Sequence, residues 1–426
     1  MDKNKIKTYT FFVLISILFL PIIQSKLNFF EFEPLKGSYT YTEKPTEIKR
    51  NWFSKYYQTQ YDKYFNDYLG FRNILVRLNN QIQFSFFDKT SVDKTLVGKD
   101  GYLFEKTYIK EYYGLNYVGE EKIKKEAIGL KKIQDYFQKK NIEFIPVILT
   151  GKGSYFSEFI PDRYNTEKKR TNYQELVNQF TNNDIFFIDL HKYFLELKKD
   201  TKYPLYPKTG IHWTQLGATI GIDTILKTVE KRKNIKLLDY DYSDIKYCDT
   251  TRYTDNDIGQ AMNLIWGPSH YKMAYPDIKF DTTKQHQKIN ILMIGDSYCF
   301  NILRTNILQN VGSKVELWYY NKGIEPLRPN NVHVKDLKNY IEELSTFDVI
   351  LLMSSESNFY QFNMDINDKF NNSLKQKGNN HDIDYFINKI KTNDEWLASI
   401  KAKAKKQNMP LDSMIYRDAK WVMQNE

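Results

Sequence analysis

The first pattern along the chain is an uncharged apolar run at residues 8–23, preceded by Lys3, Lys5 and Lys7. Gln24 and Ser25 extend it towards the roughly 17–25 residues of a membrane helix, and Lys26 can snorkel to the interface. The basic flank predicts a cytoplasmic N-terminus with everything after it outside. Ile23-Gln24-Ser25 makes a poor cleavage site, so residues 1–26 read as an uncleaved signal anchor: a single-pass chain at the cell membrane, its bulk extracytoplasmic. Residues 27–50, with Pro34, Gly37 and Pro45, read as a linker. Two helical patterns follow at 52–87, interrupted at Gly70-Phe71-Arg72 and rich in aromatics (Trp52, Tyr56, Tyr64, Phe65, Tyr68, Phe71). Residues 97–105 then give two short strands about a turn at Lys99-Asp100-Gly101. Together 27–118 form a linker and an aromatic-rich subdomain.

From residue 119 the period alternates. Ile123, Ala127, Leu130, Ile133 and Phe137 step by three and four, an amphipathic helix. Strands are predicted at 142–149, 185–188, 289–294, 314–318 and 347–353, with a helix at 334–344 among the later ones. Strands alternating with helices imply an α/β domain on a parallel sheet over 119–365. Residues 366–426 read as a polar helical segment with a break at Met409-Pro410. Ligands of such sheets bind beyond the carboxyl ends of the strands, where Asp189, Ser297, Asn321 and residues 354–358 fall.

The formal charge of +10 calls for a partner test. The lysines are scattered, the densest cluster at 401–406 is short, and no nucleic-acid motif is present. The surface suits solvent, an anionic membrane or a polymer rather than nucleic acid. Cys248 and Cys299 make neither a metal spacing nor a disulfide framework, so redox chemistry is not supported and no cofactor or metal is implied. Arg72 reads as half of a structural ion pair and Lys152 as a surface lysine.

Ser297 carries the candidate chemistry. It follows the buried run Ile289-Asn-Ile-Leu-Met-Ile-Gly295 and precedes Phe300, Leu303 and Ile307 at helical spacing. That puts it on a strand-to-helix turn, with Gly295 permitting the bend and helix-terminal amides available to an oxyanion. A nucleophilic serine needs a base, and among 6 histidines only His212, on a loop before a helix, has a suitable setting.

The ordered set of apolar N-terminal run, Phe65-Asn-Asp-Tyr-Leu-Gly-Phe-Arg72, Gly98-Lys-Asp-Gly-Tyr-Leu-Phe104, Gly210-Ile-His-Trp213 and Gly295-Asp-Ser-Tyr298 resembles the alginate O-acetyltransferase type of SGNH-hydrolase-like protein. The resemblance runs to about residue 360. It implies a three-layer SGNH-like domain that moves acetyl groups onto exopolysaccharide hydroxyls through an acetyl-serine. A membrane-bound O-acyltransferase would be the partner that supplies acetyl. It implies Ser297 as nucleophile and His212 as base, with Gly295, Asn358, Asn321 and Trp213 as oxyanion or substrate-binding candidates. One departure matters: alginate enzymes carry Asp-x-His-Trp, and here that aspartate position is Gly210. The acid is then expected from Glu356 first, or from Asp296 or Asp189, unless the pair works as a dyad. Two other functions stay open, a carbohydrate acetylesterase and a catalytically inactive scaffold or polymer-binding subunit.

Overall fold

A six-stranded sheet is the frame on which the rest is hung. The computed structural model describes residues 3–37, 40–46 and 53–425, without the side chains of 376–382, 424 and 425. Trp52, expected among the N-terminal aromatics, lies outside the described residues.

Helix α1 (Lys3–Leu27) is the apolar run, and no residue of its most apolar window is buried. Helices α2 (Lys55–Tyr68) and α3 (Arg72–Phe87) flank the predicted break at Gly70. The hairpin β1 (Thr95–Val97) and β2 (Leu103–Glu105) leads into α4 (Lys106–Tyr112), α5 (Glu120–Gln138) and β3 (Glu143–Ile148). Then come α6 (Asn172–Asn182), β4 (Ile188–Asp189), α7 (Leu190–Leu197) and α8 (Gln215–Lys233). A second hairpin, β5 (Asp239–Cys248) and β6 (Met273–Asp281), carries α9 (Asp257–Ala261) in its connection. The domain closes with β7 (Ile289–Gly295), α10 (Tyr298–Leu303), β8 (Gly312–Tyr319), β9 (Gly323–Glu325) and β10 (Val349–Ser354). Helices α11 (Ile366–Thr392), α12 (Asp394–Lys406) and α13 (Leu411–Asn425) end the chain around a small core of their own, including Ile390, Ile400 and Met414.

Strand order is β4-β3-β10-β7-β8-β9, parallel throughout except for β9 against β8. Side chains alternate across the pleat and so feed two cores. Ile291, Met293, Leu351 and Met353 face one, with Leu216, Ile222 and Val229 of α8. Leu292, Ile294, Ile350 and Leu352 face the other, with Ile123, Leu130 and Phe137 of α5 and Leu176 of α6. Burial on both faces explains why these strands read as unbroken apolar runs. The result is the α/β three-layer domain expected from the sequence.

Two expectations need correction, and one element is new. The strand at 185–188 shrinks to Ile188–Asp189, because the Gln134 amide takes both backbone groups of Phe186 (Nε2 to O 2.9 Å, N to Oε1 3.0 Å) in place of a neighbouring strand. The helix at 334–344 becomes a single turn and a short helix Tyr340–Leu344, restarted where the Asn339 side chain accepts from Glu342 N. The β5–β6 hairpin was not anticipated; Tyr240, Tyr242 and Ile245 pack on the core, but charged neighbours obscure the alternation.

Candidate active site

Ser297 sits two residues beyond β7, at the cap position of α10, with helical backbone angles (φ −62°, ψ −18°). Gly295 is needed there for closeness rather than for a left-handed bend. A Cβ on it would lie 2.4 Å from Cys299 Sγ and 2.9 Å from the Met353 carbonyl oxygen.

His212 lies on the loop before α8, whose first turn is capped by Thr214 accepting from Gly217 N at 3.0 Å. His212 Nε2 is 2.8 Å from Ser297 Oγ. Three hydrogen bonds on either side of this contact lock loop to turn. Tyr298 OH donates to Ile211 O (3.1 Å), Trp213 Nε1 to Tyr298 O (3.1 Å) and Asn301 Nδ2 to Trp213 O (2.8 Å). Trp213 is therefore buried beneath the site with its polar end spent on backbone, and it does not form a substrate surface.

The other ring nitrogen meets a residue absent from the sequence-based candidates. His212 Nδ1 lies 3.2 Å from Oδ2 of Asp257, the first residue of α9 and 45 positions downstream. Asp257 Oδ1 accepts from Ile211 N (3.0 Å) and Ile258 N (2.7 Å), so one carboxylate grips the histidine loop by both ring and backbone. Gly210 belongs to the same arrangement: a Cβ there would stand 2.3 Å from the Thr254 carbonyl oxygen. The segment that delivers Asp257 fills the space an Asp side chain at 210 would need.

The expected acids lie elsewhere. Glu356 is buried, accepts from Ser154 N (3.1 Å) and Ser154 Oγ, and burial pushes its pKa up to about 8. Asp296 accepts from Tyr298 N (3.1 Å), Ser355 N (2.8 Å), Ser355 Oγ (2.6 Å) and Asn358 Nδ2 (2.9 Å), tying the serine turn to the end of β10. Asp189 caps α7 through Lys192 N (2.8 Å) and accepts from Tyr173 OH (3.0 Å). None of the three partners His212. Asn358 is committed to Asp296, and Asn321 is buried between Met364 O and Tyr340 OH, both at 3.0 Å, so neither is poised as an oxyanion donor. Position at a strand end selected these residues; side-chain direction, which the sequence does not carry, sends them into structural bonds.

Lys152 reverses its surface expectation. It is fully buried, donates to Lys208 O and Gly210 O at 2.8 Å each, and burial lowers its pKa to about 7. It clasps the loop two residues before His212. Arg72 does stand 3.6 Å from Asp67, as an ion pair. Glu105, at the end of β2, has its pKa raised by burial, with the His212 ring opposing and the Asp257 charge adding. Among the described residues no group of three His, Cys, Asp or Glu side chains is placed to hold a metal.

A serine hydroxyl, an imidazole and a carboxylate in series is an arrangement suited to nucleophilic acyl transfer. Residues 95–304, which hold all three, match the family described as the SGNH hydrolase-like domain of acetyltransferase AlgX. No curated protein matches the chain. Among solved structures, the O-acetyltransferase domain of Pseudomonas putida AlgJ aligns at 16% identity and TM-score 0.43, over 63% of this chain and 92% of that one. Bacillus cereus PatB1 aligns at 15% identity and TM-score 0.40, over 63% and 99%. Pseudomonas aeruginosa AlgX aligns at 12% and 0.42, over 65% and 67%. The stretch that carries Ser297, His212 and Asp257 is thus the one that is similar to the SGNH hydrolase-like domain of acetyltransferase AlgX.

Proposed function

We propose that this protein is a membrane-anchored, extracytoplasmic O-acetyltransferase that places acetyl groups on polysaccharide hydroxyls through acetyl-Ser297. The observation that carries the reading is the series Asp257–His212–Ser297, at 3.2 and 2.8 Å. Ser297 Oγ attacks the acyl carbonyl carbon of the donor while its proton passes to His212 Nε2. Asp257 fixes the tautomer by accepting from Nδ1–H and stabilises the imidazolium that forms. Backbone amides of the serine turn face the oxyanion, and the imidazolium returns its proton to the leaving group. An acceptor hydroxyl then loses its proton to His212 and takes the acetyl from Oγ, and the imidazolium returns that proton to the departing Ser297 Oγ. A multi-spanning acyltransferase in the same membrane would supply the donor, and α1 would hold the enzyme beside it. The carboxylate of Asp257 beside His212, where the sequence has Gly210 in place of an aspartate, supports the active enzyme over an inactive scaffold.

The test is covalent. Incubated with an activated acetyl ester, the full chain in detergent should gain one acetyl group on the peptide containing Ser297, read by mass spectrometry. Ser297→Ala should abolish the adduct, and His212→Ala should slow it by orders of magnitude. Hydroxylated oligosaccharide should discharge the adduct faster than water does. Discharge by water alone would make the protein an esterase, and a folded chain that never acylates would sink both.

A further inference from the structure

Helix α3 is built inside out. Leu75, Leu78, Ile82 and Phe86, spaced three, four and four apart, line one face and leave 42–78% of their surfaces exposed. The opposite face is turned inward and is mostly polar, with Phe84 packed on Ile258 and Met262 as its apolar member. Asn80 Nδ2 donates to Met262 O (2.8 Å), Gln81 Oε1 accepts from Trp266 N (3.0 Å), and Asn73 Nδ2 donates to Glu33 O (3.2 Å). A helix on a water-soluble domain buries its apolar stripe and exposes its polar one. The two charges in this helix are also withdrawn from the outward face: Arg72 pairs with Asp67, and Arg77 donates to the carbonyls of Glu33 and Pro34, both at 3.0 Å.

The place of α3 in the fold identifies the occupant. The break that leads into α3 meets the end of α1, where a Cβ on Gly70 would come within 2.4 Å of the Pro21 carbonyl oxygen. Gln24 of α1 bonds both backbone groups of Phe30, whose ring stands 6.1 Å from that of Phe71. The apolar face therefore starts where the apolar N-terminal helix ends. Exposed Phe87 and Trp266 and the cation of Lys89, 5.8 Å from the Phe87 ring, border it with the side chains that favour a membrane–water interface.

We infer that α3 lies in the surface of the bilayer that α1 crosses, with Leu75, Leu78, Ile82 and Phe86 seated at the headgroup–acyl boundary. This second contact fixes the orientation of the acetyltransferase domain at the membrane instead of leaving it on a tether. It rests on α1 being embedded, and the experiment reads that separately. Full-length Cys248→Ser protein, its remaining Cys299 buried, would be reconstituted in phosphatidylethanolamine–phosphatidylglycerol vesicles. Single environment-sensitive labels would be placed at Leu78→Cys, Phe86→Cys, Ile15→Cys in α1 and exposed Lys335→Cys. The labels at 78 and 86 should shift to the blue and lose most of their emission to a nitroxide carried near the lipid headgroup. The label at 335 should respond only to aqueous iodide. Leu78→Glu with Ile82→Glu should return the label at 86 to iodide. If 78 and 86 behave like 335 while 15 is quenched by lipid, the inference falls and the anchor stands. If 15 also answers to iodide, both fall. Shielding of 78 and 86 from both quenchers would mean that a second copy covers the face, which likewise overturns a lipid contact.

Discussion

His212 has its two ring nitrogens committed to different segments, Ser297 after β7 and Asp257 at the start of α9. Removing the carboxylate's charge while keeping its shape isolates its role. Asp257→Asn should slow Ser297 acylation by as much as about 10⁴, the loss in the protease template, with the fold intact by circular dichroism. Glu356→Gln should leave acylation near normal, because Glu356 serves Ser154 instead. Its effect belongs to stability. Burial holds the folded-state pKa near 8, above the ordinary 4.5, so the folded protein keeps a proton that the unfolded chain releases across that window. The stability this proton confers is whole below the unfolded pKa and is lost as pH rises through 8. Relative to the parent, Glu356→Gln should therefore gain melting temperature between pH values of about 5 and 8.5. Ser297 and His212 were legible in the sequence because a buried run, a glycine and a change of period mark such a turn. Asp257 was not: a five-residue helix has no period to read, and the contact is made only when the β5–β6 connection folds back over Gly210.

At the scale of elements, the histidine loop is held from three directions: by α10 through Tyr298 and Asn301, by α9 through Asp257, and by Lys152 from the turn after β3. Lys152→Met would leave the carbonyls of Lys208 and Gly210 without that donor, at roughly 1–3 kcal/mol for each buried acceptor left unsatisfied. Differential scanning should show the lower melting temperature, and acylation should slow as His212 loses its register with Ser297. Gly210→Asp, which restores the sequence pattern of the alginate enzymes, should not rescue Asp257→Asn. Its Cβ alone would meet Thr254 O at 2.3 Å, so the double variant should acylate no faster and unfold earlier than the single one. Elements buried on both faces, β7 and β10, were readable from composition alone. The edge strand β4 and the β5–β6 hairpin were not, because a side-chain amide or charged neighbours replace the periodic signal.

The whole molecule combines an apolar N-terminal helix, an α2–α3 hairpin against its end, the three-layer domain and a terminal cluster of three helices. If α1 crosses the membrane with its basic flank inside, as proposed, protease added to spheroplasts should digest the bulk of the chain; full protection would remove both the proposed location and the polysaccharide acceptor. The domain was legible from its alternating periods, whereas the inverted face of α3 reads in sequence as an ordinary amphipathic helix, since periodicity does not say which side is turned inward. The excursion from β5 through α9 to β6 has a further consequence. The carboxylate beside the imidazole comes from a different segment than the histidine, so the two can part company in sequence while staying together in space. A relative judged by the Asp-x-His pair alone would be filed as a pseudoenzyme. Whether it is one depends on whether another stretch of chain brings a carboxylate to Nδ1.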